Sequence, residues 1–290
     1  LLENIKSGVP KELDIVIDGG AFNGFYTLGA LMYLKEMEKK KMCNVVRISG
    51  CSVGSILGTL YLTDSLDLLV DRFKQIRKCI KENRNIKVVQ EQMLDLMNEA
   101  LKDKKIELLN QRLFINYYNI DEKKNIVIDT FTDVEYLVDT ILKSSYLPLL
   151  IDGNITYKDG FIDGINPYIF KNRIRKIIFL KGVTFNIGKT LNIYNERNAY
   201  SRITEGIIYM HYFFLEKKTT IASYIHKWSN IELFLFRMRE ILAIFIVYFM
   251  YYSQYIYIPG ILNDLHIVNK LKHIMGYLVD DFLGIFLKME

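Results

Sequence analysis

Ser52 stands in Gly50-Cys51-Ser52-Val53-Gly54, directly behind the apolar run Val45-Val46-Arg47-Ile48-Ser49 and directly ahead of a helix-forming run over residues 55–62. A strand, a tight turn and a helix in that order push a serine hydroxyl out of the fold, where it can attack a carbonyl carbon. Gly50 and Gly54 belong to the same nucleophile elbow, because a Cβ at either position meets the neighbouring strand or helix. The pentapeptide alone is a weak signal in a chain with 17 glycines; the elements on either side carry the reading.

A serine hydroxyl is a poor nucleophile until a base removes its proton. The chain holds four histidines, His211, His226, His266 and His273, all in its last third and none in a motif. A Ser-His-Asp triad therefore requires that region to fold back over the elbow. Carboxylates offer another base. Ser145-Tyr146-Leu147-Pro148 leads into Tyr157-Lys158-Asp159-Gly160-Phe161-Ile162-Asp163-Gly164, two Asp-Gly pairs that each set an acid on a tight turn. An aspartate near its reference pKa of about 3.9 is a weak base, so partial burial, for which residues 147–151 are apolar enough, must raise it. On the residues alone both aspartates stand.

An acyl transfer also needs donors for the oxyanion. Asp18-Gly19-Gly20-Ala21-Phe22-Asn23-Gly24 joins a strand to a helix N-terminus, where backbone N–H groups and the helix dipole favour negative charge. Gly19, Gly20, Ala21 and Gly24 form this candidate oxyanion loop, and the N–H of Val53, after the nucleophile, is the second donor. This loop holds no G-x-G-x-x-G and no Gly-Lys-Ser/Thr closes it, which argues against a phosphate-binding loop here.

The elements that must position these groups alternate. Strands are expected over 13–18, 45–49, 112–120, 125–131 and 177–180, and helices over 24–41, 55–62, 65–83, 87–104 and 133–145. That order implies an α/β fold with a mostly parallel sheet covered on both faces. Residues 231–258 differ, being crowded with large apolar and aromatic side chains, and no charge falls in 241–252. A buried core helix, a membrane-surface or re-entrant element and a transmembrane helix all compete for this segment. A last helix is expected over 266–288. The division expected is a catalytic domain over 1–185 and a helical, hydrophobic extension over 186–290, packed on the core or membrane-associated.

Composition narrows the class. At 290 residues and 50% apolar the chain can bury a large core. Cys43, Cys51 and Cys79 are too few for a disulfide framework, lack metal-ligand spacing and suit a reducing compartment. No signal peptide is read at Leu1-Leu2, and no acidic loop of EF-hand type is seen, so neither metal nor cofactor is expected. The net charge of +5, with Lys39-Lys40-Lys41 and Lys171, Arg173, Arg175 and Lys176 as clusters, lacks the aromatic interleaving expected of a nucleic-acid surface.

The ordered set Asp18-Gly19-Gly20-x-x-x-Gly24, Gly50-x-Ser52-x-Gly54, S-x-x-P and Tyr157-x-Asp159-Gly160 resembles the patatin-like phospholipases. Gly20-Ala21-Phe22-Asn23-Gly24-Phe25-Tyr26 is most similar to the adiponutrin and adipose triglyceride lipase branch. The resemblance spans residues 13–168 and implies a three-layer α/β/α fold with a Ser-Asp dyad and no histidine. It makes Ser52 the nucleophile and Asp159 the base, since Tyr157 and Pro167 keep the family's spacing to Asp159 and not to Asp163. Ala21 and Asn23 depart from the family's glycine and basic residue, and Phe161 from its small residue. The function implied is a lipid acyl hydrolase of phospholipase A, lysophospholipase or acylglycerol lipase type, cytoplasmic and peripheral at a membrane or lipid-droplet surface. The alternative is a catalytically weak lipid- or membrane-binding protein of the same fold.

Overall fold

The computed structural model describes residues 2, 5, 9–20, 24–70, 72, 86–148, 152–158, 160–172, 174–182, 199–216 and 219–253. In chain order these form β1 (Glu12–Ile17), α1 (Gly24–Lys39), β2 (Asn44–Gly50), α2 (Val53–Leu62), α3 (Ile86–Ala100), β3 (Leu113–Asn119) and β4 (Lys124–Ile128). There follow α4 (Val134–Ser145), β5 (Phe161–Asp163), β6 (Lys176–Leu180), α5 (Ala199–Phe214), β7 (Ala222–Tyr224) and α6 (Asn230–Ser253).

The fold is α/β, with one mixed sheet flanked by helices. Its order is β4-β3-β2-β1-β6-β7, and β5 pairs with β3. The middle of the sheet is parallel (β3, β2, β1, β6), while β4, β5 and β7 join antiparallel. Ile17 lies level with both Gly50 and Leu180, so β1, β2 and β6 end together. Open sheets of this kind place their chemistry outside the carboxyl ends of such strands.

Strand alternation sorts the core into two sides. Leu13, Ile15 and Ile17 of β1 join Ile178 and Leu180 in the large cluster that includes α1 to α5. Val16, Ile177 and Phe179 turn the other way, onto Phe170, Ile225 and Phe236 of α6. Farther along α6, Val247 packs with Tyr118, Ile120, Ile155 and Ile162. Asp133 caps α4 by accepting from the Tyr136 N–H at 2.7 Å.

The three-residue strands β5 and β7 were not expected from the sequence, while α5, within the region expected to be helical, packs along α1. The sheet therefore takes a strand from beyond residue 185. Helix α3 ends at Ala100 rather than 104, and most of the expected helix over 65–83, like that over 266–288, lies outside the described residues. Among the described residues, no helix is long and apolar enough to cross a membrane.

Candidate active site

The turn after β2 is built around strain at one residue. Ser52 sits at φ 53° and ψ −132°, a region costing a non-glycine residue on the order of 1–3 kcal/mol. The surroundings hold it there. Its N–H donates to the Ser144 carbonyl at 3.0 Å, and its carbonyl accepts from the Ser55 N–H and hydroxyl at 2.9 and 2.6 Å. A Cβ on Gly50 would stand 2.3 Å from the Gly54 carbonyl oxygen, and one on Gly54 2.7 Å from that of Ile17. Both glycines are thus fixed by backbone closeness.

The carboxylate found against Ser52 is that of Asp163. It accepts from the Ile165 N–H at 2.7 Å, and the Ser52 hydroxyl lies near enough to favour its ionised form. Asp163 ends β5, opposite Tyr117 of β3, and its own N–H donates to the Tyr146 carbonyl at 3.0 Å. Burial pushes its pKa up to about 6, with Asp18 adding to the rise; the Ile165 N–H, the Ser52 hydroxyl and Arg239 pull it back. Only 8% of Ser52 and 7% of Asp163 are exposed.

Asp159, favoured by the spacing of Tyr157 and Pro167, lies outside the described residues. The bridge between Tyr157 and Phe161 explains why Asp163 reaches the elbow. Tyr157 and Phe161 bridge each other, with Lys158 at φ 43° and Gly160 at φ 83° turning the chain between them. Lys158 pairs with Asp139 on α4, and Gly160 sits against Asp121. The return strand then carries Asp163 inward along β3.

The glycine loop borders the serine. A Cβ on Gly19 would lie 3.3 Å from the Ser52 Cβ, one on Gly20 2.7 Å from the backbone of Gly182, and one on Gly24 2.9 Å from a Val53 methyl. Val53 is the first residue of α2, where an amide has no intrahelical acceptor. Ala21 lies outside the described residues. Cys51, wholly buried beside Gly19, is held as a neutral thiol because burial raises its pKa far above the ordinary value.

One charged residue was missed. Arg239 of α6 donates to both carboxylate oxygens of Asp18, at 2.9 and 2.7 Å, and through Nε to Asn166 Oδ1 at 2.7 Å. No sequence signal marks it, since charged residues also stand beside it at Arg237 and Glu240. Of the histidines, His211 is tied by Nδ1 to the Tyr33 hydroxyl at 2.8 Å in the packing of α5 on α1, and His226 follows β7. His266 and His273 lie outside the described residues. Among the described residues no group of three or more His, Cys, Asp or Glu is placed to hold a metal ion.

The family model for patatin-like phospholipases matches residues 15–167, from within β1 to just past Asp163. The chain belongs to the patatin-like phospholipase family. Among curated relatives, the omega-hydroxyceramide transacylase of Homo sapiens is 21% identical over 169 residues, 54% of this chain and 32% of the relative. The 1-acylglycerol-3-phosphate O-acyltransferase Pnpla3 of Mus musculus is 23% identical over 142 residues, 45% of this chain and 33% of that protein. This patatin-like chain thus spans about a third of the length of these two relatives.

Proposed function

We propose that this patatin-like protein is a serine lipid acyl hydrolase of phospholipase A, lysophospholipase or acylglycerol lipase type, with Ser52 as nucleophile and Asp163 as base. The placing of the Ser52 hydroxyl beside the buried Asp163 carboxylate, whose ionised form it favours, carries the proposal. A carboxylate with a pKa of about 6 is ionised at neutral pH yet a far better proton acceptor than a solvated aspartate.

Asp163 takes the proton as Ser52 Oγ bonds to the ester carbonyl carbon. The oxyanion is received by N–H groups of the loop Gly19–Gly20–Gly24 and of Val53. The intermediate collapses to an acyl-serine, the leaving alkoxide taking the proton from Asp163. Asp163 then removes a proton from water, whose oxygen attacks the acyl-serine, and returns it to Ser52 as the acid departs. Asp163 replaces Asp159 in this assignment.

A second outcome of the same chemistry follows from the low exposure of both groups. Water is scarce at such an acyl-serine, so a lipid hydroxyl can intercept it, giving acyl transfer. Both relatives are named for acyl transfer.

Helix α6 supports a lipid-surface setting. Its inner side holds Phe236, Arg239 and Val247, while Phe234, Leu235, Ile241, Leu242, Phe245, Ile246 and Phe249 are exposed, Phe245 by 66%. Such a stripe suits the boundary between headgroups and acyl chains. We further propose placement in the adiponutrin and adipose triglyceride lipase branch, on the glycine-loop residues 20–26. The division at residue 185 becomes one of role, with the later residues covering the site and meeting lipid. The test is turnover of a soluble short-chain ester together with fluorophosphonate labelling of Ser52. Absence of both in folded protein favours a lipid-binding protein without catalysis.

A further inference from the structure

Two loops that bear the reacting groups are held by one side chain from outside them. Asp18 closes β1 and begins the glycine loop, and Asn166 lies three residues after Asp163. Arg239 grips both, with two N–H groups on the Asp18 carboxylate and Nε on Asn166 Oδ1. Asn166 is anchored again on α6, its Nδ2 donating to the Phe236 carbonyl at 2.6 Å. Its own carbonyl accepts from Asn116 Nδ2 at 2.7 Å, and the Asn116 carbonyl accepts from the Ser144 hydroxyl at 2.7 Å. Ser144 in turn receives the Ser52 N–H. A continuous chain of hydrogen bonds runs from α6 to the nucleophile.

We infer that Arg239 is a positioning residue for the reaction, fixing the glycine loop relative to Asp163 and balancing the buried negative charge beside the base. This rests on the dyad proposed above. The charge argument follows from what faces Asp163. Asp18 approaches from the end of β1, Arg239 from α6, and the neutral Cys51 thiol and Ser52 hydroxyl from the elbow. Two carboxylates close together disfavour ionisation of both, and a guanidinium bonded to one of them relieves that repulsion. Only the ionised form of Asp163 can accept the serine proton. Loss of Arg239 therefore moves the acid limb of the rate profile to higher pH, and loss of the Asp18 charge moves it lower.

The experiment measures kcat/KM against pH for a soluble short-chain ester, and the fluorophosphonate labelling rate of Ser52, in the full chain. Arg239→Met is expected to lower kcat at least tenfold and raise the limb by half a unit or more. Arg239→Lys keeps the charge but not the two-pronged grip, so it retains the wild-type limb with a reduced kcat. Asp18→Asn shifts the limb downward. Arg237→Met, exposed on the same helix, leaves the profile unchanged. Opposite shifts in the Arg239→Met and Asp18→Asn proteins support the inference. Folded variants whose limbs stay put, or move together, overturn it while wild-type turnover keeps the dyad. If Arg239→Met does not fold, Arg239→Lys and Asp18→Asn decide, and a wild-type limb in Asp18→Asn overturns the inference. A folded wild-type chain that neither turns over ester nor labels at Ser52 overturns the dyad itself and the inference with it.

Discussion

Helices α2 and α6 are both rich in apolar residues, and they use them in opposite ways. Nine of the ten residues of α2 are buried, wedged between the sheet and its neighbouring helices. Helix α6 is 24 residues long, yet only a narrow inner stripe around Phe236 and Val247 is buried, and its outer side shows Phe234 and Phe245 at 61% and 66% exposure. In α2 apolar content is a folding term, and its burial holds the elbow in place. In α6 it is a surface term, and the polar residue on the inner side, Arg239, is what reaches the site. Hydrophobicity alone does not tell a core helix from one with an exposed apolar face; the direction of each side chain does.

The largest expected effect lies on the α2 side. Ser52→Ala and Asp163→Asn should each lower short-chain ester turnover by about three orders of magnitude or more, and the double variant should lose little beyond that, because the pair acts as a unit. Retained turnover in Asp163→Asn would return the base to Asp159 or a histidine. Rigidity of the elbow comes next. Gly50→Ala sets a Cβ 2.3 Å from the Gly54 carbonyl oxygen, against the Gly54–Ser55 peptide, and should cost more than about 3 kcal/mol in urea unfolding. Leu57→Ala in α2, fully buried, should cost about 2–5 kcal/mol.

Asp163 gives an effect of opposite sign. Its folded pKa of about 6 lies above the ordinary 3.8, so the folded state prefers the protonated form. The associated stability is fully present below the unfolded pKa and is lost as pH rises through about 6. At pH 7 the ionised group costs on the order of 1–3 kcal/mol. Asp163→Asn should therefore raise Tm at pH 7 and give less advantage at pH 4, while abolishing turnover. A variant no more stable than wild type at pH 7 would show that Ser52 and Ile165 fully compensate the burial. The smallest effect sharpens the contrast from the α6 side. Phe245→Ser should change stability by no more than about 0.5 kcal/mol, yet weaken sedimentation with phospholipid vesicles. A loss of stability like that of Leu57→Ala would make the outer face of α6 part of a core.

What was legible in the sequence follows from periodicity. The runs at 13–18 and 45–49 and the helix after Ser52 announce themselves because both faces of the central strands are buried and the glycines mark the turn. Strands β5 and β7 stayed hidden because three residues carry no period. The placing of Asp163 beside Ser52 was not legible because spacing to Tyr157 and Pro167 does not encode the bridge between Tyr157 and Phe161 that sends β5 back along β3. Arg239 was invisible for a different reason. Its partner Asp18 is 221 residues away, and its own surroundings read only as an unusually apolar helix.

That separation also has a temporal side. The bond between Asp18 and Arg239 closes a loop of most of the chain, and it cannot exist before residue 239 has been made. During synthesis the glycine loop and the elbow leave the ribosome long before the helix that clamps them. The nascent chain can build its sheet early from β1, β2 and β3, but the site is gathered only once α6 has emerged. Assembly of the site is thereby tied to arrival of the helix that carries the exposed apolar face.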